Sequence, residues 1–465
     1  MDMYYKEKLF NKAIAAGFSD CEIYYRRGRA FESQIFNTEV SDYKNSSFEG
    51  LQFRGTYNSK MGYAYTERPV AGTIDFLIDS AAANAGIIDD PGESLCRVSG
   101  LYPEVNTYYG PLEEISQVEK IEAAKVMERA ALLYDPRIVS VPYCAVGTAE
   151  DEVIIANTYG LELYHRRNFA LAYVFPQAEY IGKSKLSGEQ WHGNHWEDFR
   201  PEELAVSAAR RTLSYLNAKP VKSGKYRVLL SNETAADIFK VFTGAFFAEN
   251  VQKGFSLLKG KIGDMIASPM LTIRDDAVRY RGAVHLYPNN RRQVIRPPVS
   301  DVPFDAEGVA ARNKVVVEKG VLKTYLYNIK SAVKDGMEST GNGYRSGIQG
   351  AITTACTNFY LTSSGKTFDD MLAELDNGLY ITELTGLHSG TNIVSGDFSI
   401  SAAGFLVTGG VTEQPVEQIT IAGNFYHMLK NIEGVGNDLK FDIPGRLGTV
   451  GSPSVLISGL DVSGL

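Results

Sequence analysis

The sequence predicts an α+β protein of two domains: an N-terminal domain of helices and antiparallel strands over residues 1–218, and a mostly β C-terminal domain over residues 219–465. Three observations lead there. At 465 residues the chain exceeds the roughly 250 at which a single core stops growing. Helical periodicity gives way to runs of strands and turns, an order that favours antiparallel sheet over parallel winding. The polar stretch Asn217-Ala218-Lys219-Pro220-Val221-Lys222-Ser223-Gly224 separates two patterned regions and reads as a linker. With 44% hydrophobic and 22% charged residues there is enough apolar material for substantial cores, and 44 glycines and 27 tyrosines suit strands joined by many turns.

Phe10 and Ile14 share one face of a first helix, which Gly17 stops. Strands follow from Cys21 to about Tyr65, including Gly50-Leu51-Gln52-Phe53-Arg54, with a hairpin turn at Asn58-Ser59. A helix runs from Thr73 to about Ala85. The order then recurs as a long helix from Leu112 to Leu133, strands from Ile138 to about Tyr180, and a helix from Pro201 to about Leu216. Gly160-Leu161-Glu162-Leu163-Tyr164 resembles the Gly50 segment, so the first half reads as an internal duplication of a helix–strands–helix unit. Beyond the linker come a strand from Tyr226 to Leu230 and a helix opening at Ser231 or Asn232. Its Ile238, Val241, Phe242, Ala245 and Phe246 recur at the spacing of one buried stripe. The remainder is strand and turn, with a hairpin at Val315-Val316-Val317 and Lys319-Gly320, and one more clear helix from Asp369 to Asp376.

A net charge of -8 argues against a nucleic-acid partner, which requires a basic surface to displace counterions. The local basic spots Arg26, Arg27 and Arg29, and Arg291 and Arg292, read as solvated strand ends or turns. Cys21, Cys96, Cys144 and Cys356 are too scattered for a zinc ribbon, a redox pair or a disulfide framework, which points to the reducing cytoplasm. Met1 to Phe10 lacks the apolar core of a signal peptide, and no apolar run approaches a membrane span of about 20 residues.

The strong catalytic signatures are absent. There is no Gly-x-Ser-x-Gly elbow, and Gln177 and Tyr360 stand where P-loops ending at Gly182-Lys183-Ser184 and Gly365-Lys366-Thr367 would need glycine. Gly341-Asn342-Gly343 is followed by Gly347 and reads as a turn. None of the six histidines belongs to a His-Glu-x-x-His pair. His192 and His195, flanked by Trp191 and Trp196, read as an aromatic surface loop, and Asp275-Asp276 as a solvated turn ahead of a hard-cation site. The segment from His388 to Ser399 concentrates His388, Ser389, Gly390, Asn392, Ser395, Gly396 and Asp397, a composition of tight turns.

That segment resembles the Ser-Gly-x-Asn-x-x-Ser-Gly-Asp-Phe/Tyr-Ser signature of the TldD/PmbA family. Matching stretches stand in the same order on both sides: Val251 to Ser256, Gly260 to Gly263, Ala267-Ser268, Thr272 to Asp276, Ser339 to Gly343, Pro415 to Asn424, and Val435-Gly436-Asn437-Asp438. Together they span most of residues 226 to 440. The family has two kinds of subunit. TldD-type chains resemble zinc proteases, with His-Glu-x-x-x-His on a helix after the first C-terminal strand and a cysteine near the C-terminus. PmbA-type (TldE-type) chains lack the motif. The older family label, modulator of DNA gyrase, has no counterpart in this sequence. Here the three motif positions fall near Phe239, Lys240 and Gly244, and the late region from Phe441 to Gly448 has no cysteine. The resemblance therefore implies a PmbA-type subunit with no cofactor of its own. Zinc would come with a TldD-like partner in a heterodimer acting on unfolded or modified peptides, and the chain alone would form a homodimer. Two alternatives stand beside this: a homodimeric binding or scaffold protein without a catalytic complex, and an independent hydrolase using His388 with Asp397.

Overall fold

The computed structural model of the chain describes residues 3–87, 93–97, 101–279, 284–286, 292–294, 300–445 and 448–465. Seven strands of the first half form one antiparallel sheet. Across it run Lys60–Thr66, Glu39–Tyr57, Phe18–Phe36, Ile138–Asn157, Glu162–Tyr180 and Lys183–Leu186, with Glu189–Gly193 also paired to Glu162–Tyr180. Asn58 and Ser59 both take positive φ (49° and 65°), the twist a two-residue hairpin loop needs. Asn37 and Thr38 do the same at 53° and 65°, and there the Thr38 N–H is held by Glu128 Oε2 at 2.7 Å.

Helices Met3–Ala15 and Ile74–Ile87 pack on the first strands, and Gln117–Tyr134 and Pro201–Ser214 on the later ones. One helix–strands–helix unit thus follows another, joined by Phe18–Phe36 against Ile138–Asn157. In the first helix the buried row is Tyr5, Leu9 and Ala13, whereas Ile14 is 46% exposed. The side chains at i, i+4 and i+8 from Tyr5 meet the sheet, a face one residue round from the expected one. The expected long helix is two pieces, Pro111–Glu114 and Gln117–Tyr134. Ser116 restarts it with a capping box: its Oγ accepts from the Glu119 N–H at 3.2 Å, and Glu119 Oε2 accepts from the Ser116 N–H at 2.8 Å.

In the second half, Val411–Asn424, Asp397–Thr408, Gly378–Thr385, Gly224–Leu230 and Val455–Ser463 close into a ring, because Val455–Ser463 pairs with both Gly224–Leu230 and Val411–Asn424. A second sheet runs Val321–Leu322, Asn313–Glu318, Ile273–Asp276, Asn358–Leu361, Thr449–Ser452, Lys440–Phe441. Helix Asn232–Phe242 and the 3-10 turn Thr243–Phe246 enter the shared core with Ile238, Phe242, Ala245 and Phe246 fully buried. Each large side chain of that stripe contributes about 1.5–3 kcal/mol by burial. Ile329–Asp335 and Phe425–Lys430 are helices too short to show a sequence period. The linker residue Lys219 is tied to the ring, its N–H donating to the Pro415 carbonyl at 3.2 Å.

Strand alternation gives the seven-stranded sheet two unlike faces. Cys21, Ile23 and Tyr25 join the core under the helices. Their neighbours Glu22, Tyr24 and Arg26 turn the other way, toward the second half. There Glu22 Oε1 accepts from Arg54 Nε and from Arg345 Nη2, both at 2.7 Å, with all three side chains at most 1% exposed. Arg345 also donates to Gln52 Oε1 and, at 3.0 Å, to the Ala306 carbonyl, while Gln52 Nε2 reaches back to the Ile348 carbonyl at 2.9 Å. Removing one partner of a buried ion pair strands the other, so Arg345→Met should lower stability by about 3–5 kcal/mol. Denaturant unfolding checks this, and a loss below about 1 kcal/mol would show that the bridge does not hold the two halves together.

Candidate functional site

Ser231 caps the helix Asn232–Phe242, its Oγ accepting from the Thr234 N–H at 3.2 Å. Asn232 Nδ2 donates to the Asp438 carbonyl at 2.9 Å, and Asp438 is fixed in turn by the Ser454 N–H (2.8 Å) and hydroxyl (2.6 Å). These contacts lay the late segment along the helix. Phe239 is 1% exposed and meets Phe425 edge-on at 5.6 Å. Lys240 Nζ makes an ion pair with Asp442 of the late segment, and Asp442 Oδ1 also accepts from the Val450 N–H at 2.8 Å. A Cβ on Gly445 would lie 3.6 Å from Lys240 Nζ, and one on Gly244 would lie 3.1 Å from Asn250 Nδ2. The two regions singled out in the sequence therefore do meet, around an ammonium–carboxylate pair. A zinc ion needs several neutral or anionic donors in a tetrahedron. A phenyl ring, an ammonium and a glycine supply none, so the residues present do not fit the metal. Among the described residues no three His, Cys, Asp or Glu side chains gather as a metal site. One turn before Lys240, burial and the neighbouring carboxylates Asp442 and Glu233 push the Asp237 carboxyl up to about 6.

The signature loop is bound largely by its own hydrogen bonds. Asn392 Oδ1 accepts from the N–H groups of Val394 (3.0 Å) and Ser395 (3.1 Å), while the Asn392 and Gly396 N–H groups donate to the Asp397 and Asn392 carbonyls, each at 2.8 Å. Asp397 accepts from the Ser395 hydroxyl at 2.7 Å and from Asn424 Nδ2 at 2.8 Å, and these bonds lower its pKa. The Gly390 N–H bonds the Gly386 carbonyl at 2.8 Å, as does that of Ser389 at 3.1 Å. His388 is exposed, and the imidazole whose charge bears on Asp397 is that of His427. Asn437 is exposed and Asp438 half-buried, beside the motif helix.

Several sequence expectations are overturned by partners distant in the chain. Asp275 and Asp276 are 0% and 5% exposed, not a solvated turn. Asp275 accepts from Lys314 Nζ (3.0 Å), Asn342 Nδ2 (2.8 Å) and the Thr357 N–H (2.7 Å); Asp276 accepts from Arg274 and from the Tyr360 hydroxyl. Gly341-Asn342-Gly343 is thus a buried polar junction. Arg26, Arg27 and Arg29 lie mid-strand and pair with Asp151, Glu152 and Glu150 of the adjoining strand. Arg291 and the side chain of Arg292 lie outside the described residues. His192 is on the strand Glu189–Gly193 in place of a loop, whereas His195 lies in the loop after it, its ring tilted against Tyr109 with centroids 3.7 Å apart.

A cavity of about 370 Å³ lies between the two halves, and the sequence had not marked its lining as a site. One wall is the seven-stranded sheet, with Tyr24, Arg26, Asp151, His165 and Arg167; the other includes Asp305, Asn342, Arg345, Cys356, Gly445 and Thr449. The signal in the sequence was the lone charge inside an apolar strand, Glu22 between Cys21 and Ile23, and Arg54 after Phe53. Burial pushes the Cys356 thiol well up, helped by the charges of Asp275 and Asp442, and holds His165 neutral at about 4. Neither is an activated nucleophile or a charged acid.

A model for the PmbA/TldA metallopeptidase C-terminal domain matches residues 223–464, with that family's central domain matching 110–216 and its domain 1 matching 21–85. The chain belongs to the TldD/PmbA family. It is 31% identical to metalloprotease PmbA of Escherichia coli O157:H7 over 348 residues, 74% of this chain and 71% of that one. With a metalloprotease TldD homolog of Haemophilus influenzae it shares 25% identity over 90% of this chain and 88% of that one. A crystal structure from Thermotoga maritima, a proposed modulator of a DNA gyrase, superposes with a TM-score of 0.87 at 32% identity, covering 99% of both chains. TldE of Thermococcus kodakarensis shares the fold, with a TM-score of 0.85 at 23% identity over 99% of this chain and 100% of that one. The TldD/PmbA fold is therefore the α+β architecture described above.

Asp305 in the cavity wall has a second carboxyl, Glu307, beside it. Asp305 accepts from the N–H groups of Glu307, Val309 and Gly343, and Glu307 Oε2 accepts from the Ile329 N–H at 2.7 Å. Burial raises both, and the charge of Asp305 raises Glu307 further, to about 8 from an ordinary 4.5. The folded chain therefore keeps a proton that the unfolded chain has lost. The resulting stabilisation is complete below about pH 4.5 and disappears as pH rises through about 8. Between pH 6 and 9 the native chain should lose about 2–3 kcal/mol that Glu307→Gln does not lose. Parallel thermal or urea melts across that range measure it, and identical slopes for the two proteins would refute the assignment.

Proposed function

We propose that this chain is the PmbA/TldE-type, non-catalytic subunit of a TldD/TldE-type metalloprotease complex acting on unfolded or modified peptides in the cytoplasm. The observation that carries the reading is the Lys240–Asp442 pair: the place where the family's metal motif and late segment meet holds an internal salt bridge. A lysine beside a zinc ion would repel it and has no base to offer at neutral pH. The zinc would come with a TldD-like partner, and this chain would contribute enclosure and peptide binding. The free state of all four cysteines is in keeping with a reducing compartment.

The partner surface is assigned to the C-terminal half. There the segment after Gly254 exposes Phe255, Leu257, Ile262, Met265 and Met270, each 46–58% exposed, and the signature loop exposes Ile393 and Val394. Ile393 approaches Gly244, and the Tyr426 hydroxyl accepts from the Leu257 N–H at 3.3 Å, so loop and segment flank the end of the motif helix. Two subunits of one fold can use nearly the same patch for self-association and for pairing with each other. The lone chain should therefore be a homodimer with an interface of about 2,000 Å² or more.

Two measurements test this. Elemental analysis of the purified chain should find far less than one zinc per chain; about one, lost on mutating the motif helix, would sink the reading. Mixing with a TldD-like chain that keeps His-Glu-x-x-x-His should generate cleavage of an unstructured peptide that neither homodimer of this chain nor its monomer shows. Full peptidase activity without the partner would make the chain an independent hydrolase, and no activity in a stable mixed complex would make it a scaffold.

A further inference from the structure

The sheet wall of the interdomain cavity contains a feature the subunit role does not explain. Strand register sets Arg26 opposite Val153, Val153 opposite His165, and Asp151 opposite Arg167, so these side chains share the face that looks at the second half. Asp151 Oδ1 accepts from Arg26 Nε at 2.6 Å, and Oδ2 from Arg26 Nη2 at 3.0 Å and Arg167 Nη2 at 3.1 Å. Asp151 is 11% exposed, while Arg26 and Arg167 keep 27% and 31%. One carboxylate thus orients two guanidinium groups and leaves the trio one positive charge in excess. A guanidinium has five N–H donors in a planar fork matched to carboxylate oxygens. Asp151 uses two from Arg26 and one from Arg167, which leaves most of both forks to a ligand.

The opposite wall narrows what that ligand is. It carries the Thr449 hydroxyl, which is buried (residue 2% exposed) and has no hydrogen-bond partner among the described residues. About 370 Å³ suits a small molecule or the end of a chain and excludes a folded one. A single excess positive charge matches a monoanion. A phosphate would meet the nearby Asp151 and Asp305 carboxyls with a second negative charge unpaired. We propose that the cavity binds the C-terminal carboxylate of an extended peptide, with Arg26 and Arg167 as its clamp. The peptide, as against a free small acid, rests on the peptide-processing role proposed above. Gly445 joins the cavity to the Lys240–Asp442 position, so a peptide anchored here runs toward the place where the family's metal motif would stand.

The test uses the full chain alone, with no partner, metal or cleavage, and so stands apart from the reconstitution assay. A fluorescent hexapeptide of neutral residues with a free C-terminal carboxylate is titrated by anisotropy beside its C-terminal amide, with acetate as competitor. The acid should bind about tenfold or more tighter than the amide, since charge-assisted hydrogen bonds to a carboxylate contribute about 1.5–3 kcal/mol. Arg167→Gln, which leaves both Arg26 bonds to Asp151 in place, should remove that preference and leave amide binding unchanged. Thr449→Val, which alters no hydrogen bond of the fold, should weaken the acid as well. Equal affinity for acid and amide, or a preference that survives Arg167→Gln in a natively folded variant, would overturn the clamp. Acetate displacing the peptide at concentrations near the peptide's own Kd would overturn the peptide assignment in favour of a small-acid site.

Discussion

A single carboxylate holds the architecture together. Glu22 is buried, it sits on the central strand of the N-terminal sheet, and one of its oxygens accepts from an arginine of each half of the chain. Burying an isolated ion is prohibitive, so this one is tolerated only while both Arg54 and Arg345 are in place. That requirement turns a flat contact between two cores into a fixed docking geometry. Apolar packing of Tyr24, Ile155, Phe304 and Val309 beside it supplies contact area but would permit sliding. The ion triad opposes it, because sliding would separate Glu22 from Arg345 and leave a buried charge unpaired. The cavity walls come from opposite halves, so their alignment inherits the precision of this bridge.

The Lys240–Asp442 pair ties the late segment to the motif helix by an internal salt bridge. The helix is fixed by its buried side, to which the motif position Phe239 belongs, and by Ser231 and Asn232 at its start. Only the polar side of the helix is open to change. There the Lys240 ammonium is the positive charge that Asp442 faces. Asp442 is itself pushed up by burial, so it gains from any cation at that spot. The internal cation keeps the late segment against the helix.

Much of the fold was readable because its signals are local. Asn58-Ser59 and Lys319-Gly320 identify their hairpins by residue type, and the stripe from Ile238 to Phe246 identifies its helix by spacing. What was misread depends on partners far along the chain. Asp275 looks like a solvated turn until Asn342, 67 residues on, and Thr357, 82 residues on, deliver their N–H groups to it. Arg26 looks like surface charge until the register of a strand 125 residues away sets Asp151 beside it. Sequence patterns assign charge to solvent by default, so a fold that places its ions between two layers hides them. The candidate site suffered most, since its cavity exists only where the halves meet.

That hidden layer also explains which stretches carry the family resemblance. Thr272 to Asp276 and Ser339 to Gly343 meet at the Asp275–Asn342 hydrogen bond. The His388 to Ser399 loop meets the end of Pro415 to Asn424 where Asn424 Nδ2 bonds both the Ser395 carbonyl and Asp397, each at 2.8 Å. Val435 to Asp438 meets the motif helix through Asn232. These recognisable stretches each supply one side of a polar junction whose other side is another such stretch or the motif helix. Buried junctions such as Asp275–Asn342 allow little substitution, because either partner left alone loses a hydrogen bond in a place water does not reach. The metal positions belong to no such junction. On the reading proposed above, the signature would support the walls of the site, while the motif positions would bear only on its chemistry.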